Sequence, residues 1–89
     1  MLVSRFRPKI LINGATAYSR EVDMARFAEI CKKYDCINHY DMAHISGLVA
    51  GDVLKFNPFD YADVVTSTTH KSLRGPRWFF VFLCIRTCL

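Results

Sequence analysis

The stretch VVTSTTHKSLRGPR, residues 64–77, begins as an apolar β-branched run, turns into a string of hydroxyls, and ends in His70, Lys71 and Arg74-Gly75-Pro76-Arg77. Val64 and Val65 followed by Thr66, Ser67, Thr68 and Thr69 predict a strand over Asp63 to Thr69, because β-branched side chains suit a pleated surface. Gly75-Pro76 marks a turn beyond it. Lys71 therefore stands just past the carboxyl end of a strand. An ammonium near apolar surface loses hydration and has to be paired or deprotonated, so packing gives no reason to place one there. A solvated loop lysine is the ordinary reading of such a position; an amine wanted for its chemistry is the other.

Working back from this strand, CINHYD (36–41) reads as a second one, less apolar than a central parallel strand because of Asn38 and His39. KILIN (9–13) reads as a first, closed by Gly14, and the small, hydroxyl-rich GATAYSR (14–20) after it has the composition of a binding loop. Between these two strands Met24, Phe27, Ala28 and Cys31 recur at i, i+3, i+4 and i+7. Glu21 and Asp23 precede this stripe and Lys32 and Lys33 follow it, so a helix is predicted whose charges complement its dipole. MAHISGLVAGD (42–52) predicts a short helical turn ending at glycines, followed by a loop through Asn57-Pro58. The tail after Pro76 supplies a fourth strand. Strands alternating with helices imply an α/β fold with parallel strands and crossover helices.

The chain has 89 residues and a formal charge of +4, from twelve Lys and Arg against eight Asp and Glu. That length makes one domain at most and buries only about 60–65% of the unfolded surface. The basic residues are spread out and do not alternate with aromatics, which argues for solubility rather than a nucleic-acid face. Cys31, Cys36, Cys84 and Cys88 form neither a paired CxxC framework nor a dense disulfide scaffold. Reduced, cytosol-like or organellar surroundings and no bound metal are the expectation. Met1-Leu2-Val3 leads straight into Arg5, Arg7 and Lys9 without the apolar core of a signal peptide. WFFVFLCI (78–85) is too short to span a bilayer, so no membrane role is expected.

Parallel pairing has a chemical consequence. Asp41 ends the second strand and Lys71 lies just beyond the third, so both project from one sheet edge, where open α/β sheets bind ligands. Neighbouring strands are about 4.8 Å apart and next-but-one strands about 10 Å; a carboxylate and an amine so placed can face opposite ends of one small aromatic ring. Pyridoxal 5'-phosphate asks for that pair, a lysine at its aldehyde and an acid at its ring nitrogen. His44, three residues past Asp41, returns to the same pocket if the segment is helical. Thr16 can donate to the cofactor's phenolic oxygen, and Thr68, Thr69 and His70 line the entrance of the lysine. Asp41 at a strand end also suits a cap on the following turn.

FRPK (6–9), GATAYSR (14–20), DMAHISGLVA (41–50) and FDYADVVTSTTHKSLRGPR (59–77) resemble, in order, successive blocks of serine hydroxymethyltransferase, the pyridoxal-phosphate enzyme that interconverts serine and glycine with tetrahydrofolate. The resemblance runs from about Phe6 to Arg77. It implies that Lys71 is the Schiff-base lysine, Asp41 the partner of the pyridine nitrogen, and His44 a contact to cofactor or amino acid. Thr16 stands where the family usually has Ser; His70 and Thr68 assist exchange at the lysine, and Arg77 holds the site together electrostatically. The fold implied is the large domain of the aspartate-aminotransferase type (fold type I), in homo-oligomers, dimers or tetramers, of the cytoplasm or of mitochondria and other organelles.

The resemblance also divides the chain, into a partial cofactor-binding domain over residues 1–77 and a divergent apolar tail over 78–89. Trp78 stands where the family continues with glycine, beside the lysine loop, where an indole cannot take a glycine's space. Segments that in the family hold the cofactor phosphate, the substrate carboxylate and the folate have no counterpart in these 89 residues. The chain alone is therefore expected to be inactive; a non-catalytic fragment that associates or interferes with full-length subunits is the alternative.

Overall fold

A computed structural model describes residues 2–84; Cys88 and the end of the apolar tail lie outside them. Strands β1 (Ile10–Gly14), β2 (Ile37–Asp41), β3 (Val64–Thr68) and β4 (Phe79–Leu83) form one sheet in the order β1-β2-β3-β4. The first three are parallel, as the alternation of strands and helices predicts. β4 departs from the all-parallel expectation and pairs antiparallel with β3. The reason is chain length: residues 69–78 are fewer than the dozen or more that a parallel crossover needs.

Helix α2 (Met24–Tyr34) joins β1 to β2. Its start is set by Asp23, whose carboxylate accepts the Arg26 amide at 3.0 Å. Asp35 ends it in the left-handed region at φ 53°, and the amides of Asp35 and Cys36 both donate to the Cys31 carbonyl. α3 (Ser46–Ala50) and the single turn α4 (Pro58–Tyr61) occupy the crossover from β2 to β3. The sequence predicts a loop through Asn57-Pro58. Asn57 instead accepts the Phe59 amide at 3.0 Å and Pro58 fits the first helical position, which is enough for one turn. α1 (Leu2–Phe6) has no counterpart in that reading either, and none of its residues is buried.

Because register aligns Asn13 with Tyr40 and Tyr40 with Val65, these side chains share one face of the sheet. The core lies on that face: Met24 of α2, Tyr40, Met42, Ala62 and the fully buried Val65, with Phe56, Tyr61 and Phe80 packed at its border. Phe59 of α4 meets Phe82 edge-on at 5.2 Å and ties β4 to the same layer. Asn38 is tolerated in this core because its polar groups are satisfied. Its Oδ1 accepts from Asn13 Nδ2 at 2.8 Å, its Nδ2 donates to the Tyr61 carbonyl at 3.1 Å, and its amide donates to Asp63 Oδ2 at 2.8 Å. The other face is open, with Ile12 68% and Phe79 71% exposed. Asp41 and Thr66 lie on that open face, and so does His39, whose Nε2 is 2.9 Å from Thr66 Oγ1.

Two stability outcomes follow from the core. Val65→Ala removes two methyl groups from the most buried side chain and is expected to cost about 2 kcal/mol, read from urea unfolding. Burial first, then the hydrogen bond and charge of Cys36, push the Cys31 thiol from its ordinary 9.0 up to about 12. The folded chain then keeps a proton that the unfolded chain releases, so stability is complete below about pH 9 and falls as pH rises toward 12. Burial also raises the Tyr40 phenol, helped by Asp41 and Glu21, with the same sign. Urea midpoints are expected to drop between pH 8 and pH 10.5, and Cys31→Ala to flatten that slope.

Candidate functional site

Gly14, Asp41 and Thr66 form one row across the carboxyl ends of the parallel strands. Gly14 has φ 139°, and a Cβ there would sit 2.6 Å from the Asp41 carbonyl oxygen, so only glycine lets β1 close against β2 at this point. Beyond the row the Met42 amide still pairs with the Thr66 carbonyl, and the Ile45 amide donates back to the Met42 carbonyl. The chain thereby reverses in a turn rather than a helix, which brings His44 beside Asp41. Asp41 does cap this turn: its Oδ1 accepts the Ala43 amide at 3.0 Å, and its Oδ2 has no hydrogen-bond partner among the described residues.

Asp41 and His44 together line two adjoining cavities. One, of about 390 Å³, is walled by Tyr18, Arg20, Glu21 and Tyr40. The other, of about 300 Å³, is walled by Asn13, Gly14, Thr16 and Ala43. Thr16, Asp41 and His44 are thus brought together. Glu21 fixes the rim of the larger cavity, its carboxylate accepting the amides of Lys55 and Phe56 at 2.9 and 3.2 Å.

Lys71 reaches the same edge through its neighbour. Residues 71–74 form a turn in which the Arg74 amide donates to the Lys71 carbonyl at 3.0 Å. Ser72 docks this turn on α3: its Oγ accepts the Gly47 amide at 2.9 Å and lies 3.1 Å from Ser46 Oγ. Ser46 in turn donates to the Ala43 carbonyl, beside His44. A Cβ on Gly47 would lie 3.1 Å from Ser72 Cβ, so the approach depends on a glycine. Thr69 closes the loop behind. Its carbonyl accepts the Gly75 amide, its amide donates to the Trp78 carbonyl, and its hydroxyl donates to the Pro76 carbonyl. None of these docking contacts was legible in the sequence, although "small residue facing small residue", Gly47 opposite Ser72, is the signal that marks them.

Lys71 itself is exposed and lines neither cavity. The desolvation that an amine nucleophile needs is therefore not provided by the described residues. Thr68 and His70 are half-buried, and Thr68 Oγ1 and His70 Nδ1 are buried atoms without a hydrogen-bond partner. Arg77 is exposed, makes no ion pair among the described residues and lines neither cavity. Trp78 does not crowd the lysine loop as the sequence suggests: the residue is 71% exposed, and the loop closes on its backbone.

Comparison with known proteins then adds a family. The family model described as serine hydroxymethyltransferase matches residues 2–87. The putative mitochondrial serine hydroxymethyltransferase of Neurospora crassa is 56% identical over 81 residues, 91% of this chain and 15% of that protein. The mitochondrial enzyme of Saccharomyces cerevisiae is 52% identical over 82 residues, 92% of this chain and 16% of its own length. The probable cytosolic enzyme of Schizosaccharomyces pombe is 58% identical over 80 residues, 86% of this chain and 16% of its own. The chain spans about 15–16% of the length of these relatives.

The docking of the lysine turn is open to direct measurement. Ser72→Ala removes the acceptor of the Gly47 amide and is expected to cost about 1 kcal/mol. Gly47 should then exchange its amide hydrogen faster while the Val65 amide is unchanged, and Ser72→Thr should keep the protection.

Proposed function

The chain belongs to the serine hydroxymethyltransferase family, and on that premise we propose that it carries the segment that holds pyridoxal 5'-phosphate, with Lys71 as the residue of covalent attachment. One observation carries the reading. Asp41, His44 and the docked lysine turn lie at the same edge of the parallel strands, linked through Ala43, Ser46, Gly47 and Ser72. Asp41 would face the ring nitrogen, with Oδ2 open to it, and its negative charge keeps a proton there. Thr16 would donate to the phenolic oxygen, and His44 would contact the ring or the bound amino acid from the wall it shares with Asp41.

The residues present fit the group in polarity. Thr68 Oγ1 and His70 Nδ1, close to Lys71 along the chain, are buried atoms without partners, a cost that a polar ligand would remove. When bound, pyridoxal phosphate supplies an electron sink for bonds at the α-carbon of an amino acid, which in this family serves interconversion of serine and glycine with tetrahydrofolate. Arg77 is proposed to add positive charge to the site once its surroundings are complete.

Relatives carry the names mitochondrial and cytosolic, and either compartment is proposed for this chain. Among the described residues no helix is long and apolar enough to cross a membrane. As in the family, a homo-oligomer is the proposed working assembly. The 89 residues alone are proposed not to turn over, because Lys71 stands in water.

A second reading, a non-catalytic fragment that associates with full-length subunits, is favoured by the open apolar face, where Ile10, Ile12, Ile37, Phe79, Val81 and Leu83 are exposed. Family-length protein is the partner that reading requires.

The test is borohydride fixation of added pyridoxal phosphate followed by peptide mapping. Lys71 is expected to be labelled ahead of Lys9, Lys32, Lys33 and Lys55, and Asp41→Asn to weaken labelling about tenfold. Labelling spread evenly over the lysines would sink the attachment, and serine-to-glycine turnover by the isolated chain would sink the proposed inactivity. Retention of the chain by a full-length family enzyme on co-purification would support the second reading; a folded monomer that passes through would end it.

A further inference from the structure

β2 has chemistry at both ends. Asp41 closes its carboxyl end, while Cys36 stands just before its first residue, and Cys36 faces Cys31 of α2. The chain reverses there so tightly that the Cys36 amide donates to the Cys31 carbonyl at 3.0 Å. This is the helix-ending geometry that brings the flanking side chains into contact. The reversal places both cysteines at the one end of α2. Both are buried, at 3% and 9% exposure, yet both line an open cavity of about 900 Å³ that also meets Asn38, Asp63 and Cys84. Neither takes part in the site at the other end of the strand. Among the described residues no group of three or more ligands is able to hold a metal, so coordination does not account for the pair.

We propose that Cys31 and Cys36 form a thiol–disulfide modification site: a small-molecule disulfide entering this cavity converts them into an intrachain bridge between the last turn of α2 and the head of β2. The inference stands apart from the proposed function and does not depend on it. The balance is that of ordinary exchange. One protein sulfur, as thiolate, attacks the oxidant's S–S bond, forming a mixed disulfide and expelling one thiolate. The second protein sulfur then attacks the first, forming the bridge and expelling the other thiolate. Two protein thiols are oxidised, one external disulfide is reduced to two thiols, and the two protons pass to those thiols. Burial and the neighbouring Cys36 hold the proton on Cys31, and the exchange balances in the same way whichever of the two sulfurs attacks first. The bridge needs no large rearrangement, because the reversal at Asp35 already sets the two backbones side by side.

The sequence makes the test direct, since Lys32 and Lys33 lie between the two cysteines. The whole chain is incubated with oxidised glutathione in buffer and in concentrated urea, remaining thiols are alkylated, and the product is digested with trypsin without reduction. The expected result in buffer is peptide 27–32 joined to peptide 34–55, with the loss of two hydrogens and separation on reduction, and a several-fold lower yield in urea. Three results would each overturn the proposal: glutathione retained on Cys36 with no bridge, a bridge from either cysteine to Cys84 or Cys88 instead, or equal bridging in urea and buffer. Cys84→Ser, which leaves the pair intact, is expected to give the same joined peptides; their loss in that variant would also overturn it.

Discussion

β2 lies between β1 and β3, and its register against both is held by groups that tolerate no displacement. On one side Gly14 presses against the Asp41 backbone at a distance no other residue permits. On the other, the ladder to β3 is continued past the strand end by the Met42 amide on the Thr66 carbonyl. With β2 fixed, the turn that follows has only one exit, over the carboxyl edge, and that exit puts His44, Ser46 and Gly47 where the lysine turn docks. Every later feature of the candidate site inherits its position from this middle strand.

The three parallel strands and α2 were legible because each has a local cause: β-branched or apolar runs for the strands, and a four-member stripe with Asp23 before it for the helix. The grouping of Asp41, His44 and Thr16 was legible as well, since parallel pairing alone sends loops to one edge. What escaped depends on long-range contacts. The docking of Lys71's turn follows from Ser72 meeting Gly47 across 25 residues of chain, whereas the direction of β4 needed only the short span of residues 69–78, which is too few for a parallel crossover. α4 rests on a side-chain cap by Asn57, a cue that a loop reading of Asn-Pro overlooks. The exposure of Lys71 was not legible, because solvation of a residue is a property of everything around it.

Family membership and length set different limits. The chain is 52–58% identical to much longer relatives over the residues aligned, and the sheet it forms is covered on one face only. Parallel sheets are ordinarily covered on both faces. The bare side carries Ile10, Ile12, Ile37, Phe79, Val81 and Leu83, while the polar groups of the candidate site stand at its edge. Exposure of that face and exposure of Lys71 are two aspects of one incomplete enclosure.

The paired amides of Asn13 and Asn38 act on alternatives to the native arrangement more than on its strength. Sliding β1 by a single position would turn Asn13 to the opposite side and leave Asn38 facing an aliphatic neighbour with its oxygen unmet. Apolar side chains of similar volume would pack there without such a penalty, and would discriminate poorly between aligned and shifted ladders. The two asparagines thus work as an alignment key, trading some cohesion of the interior for a single way of laying the first strand beside the second.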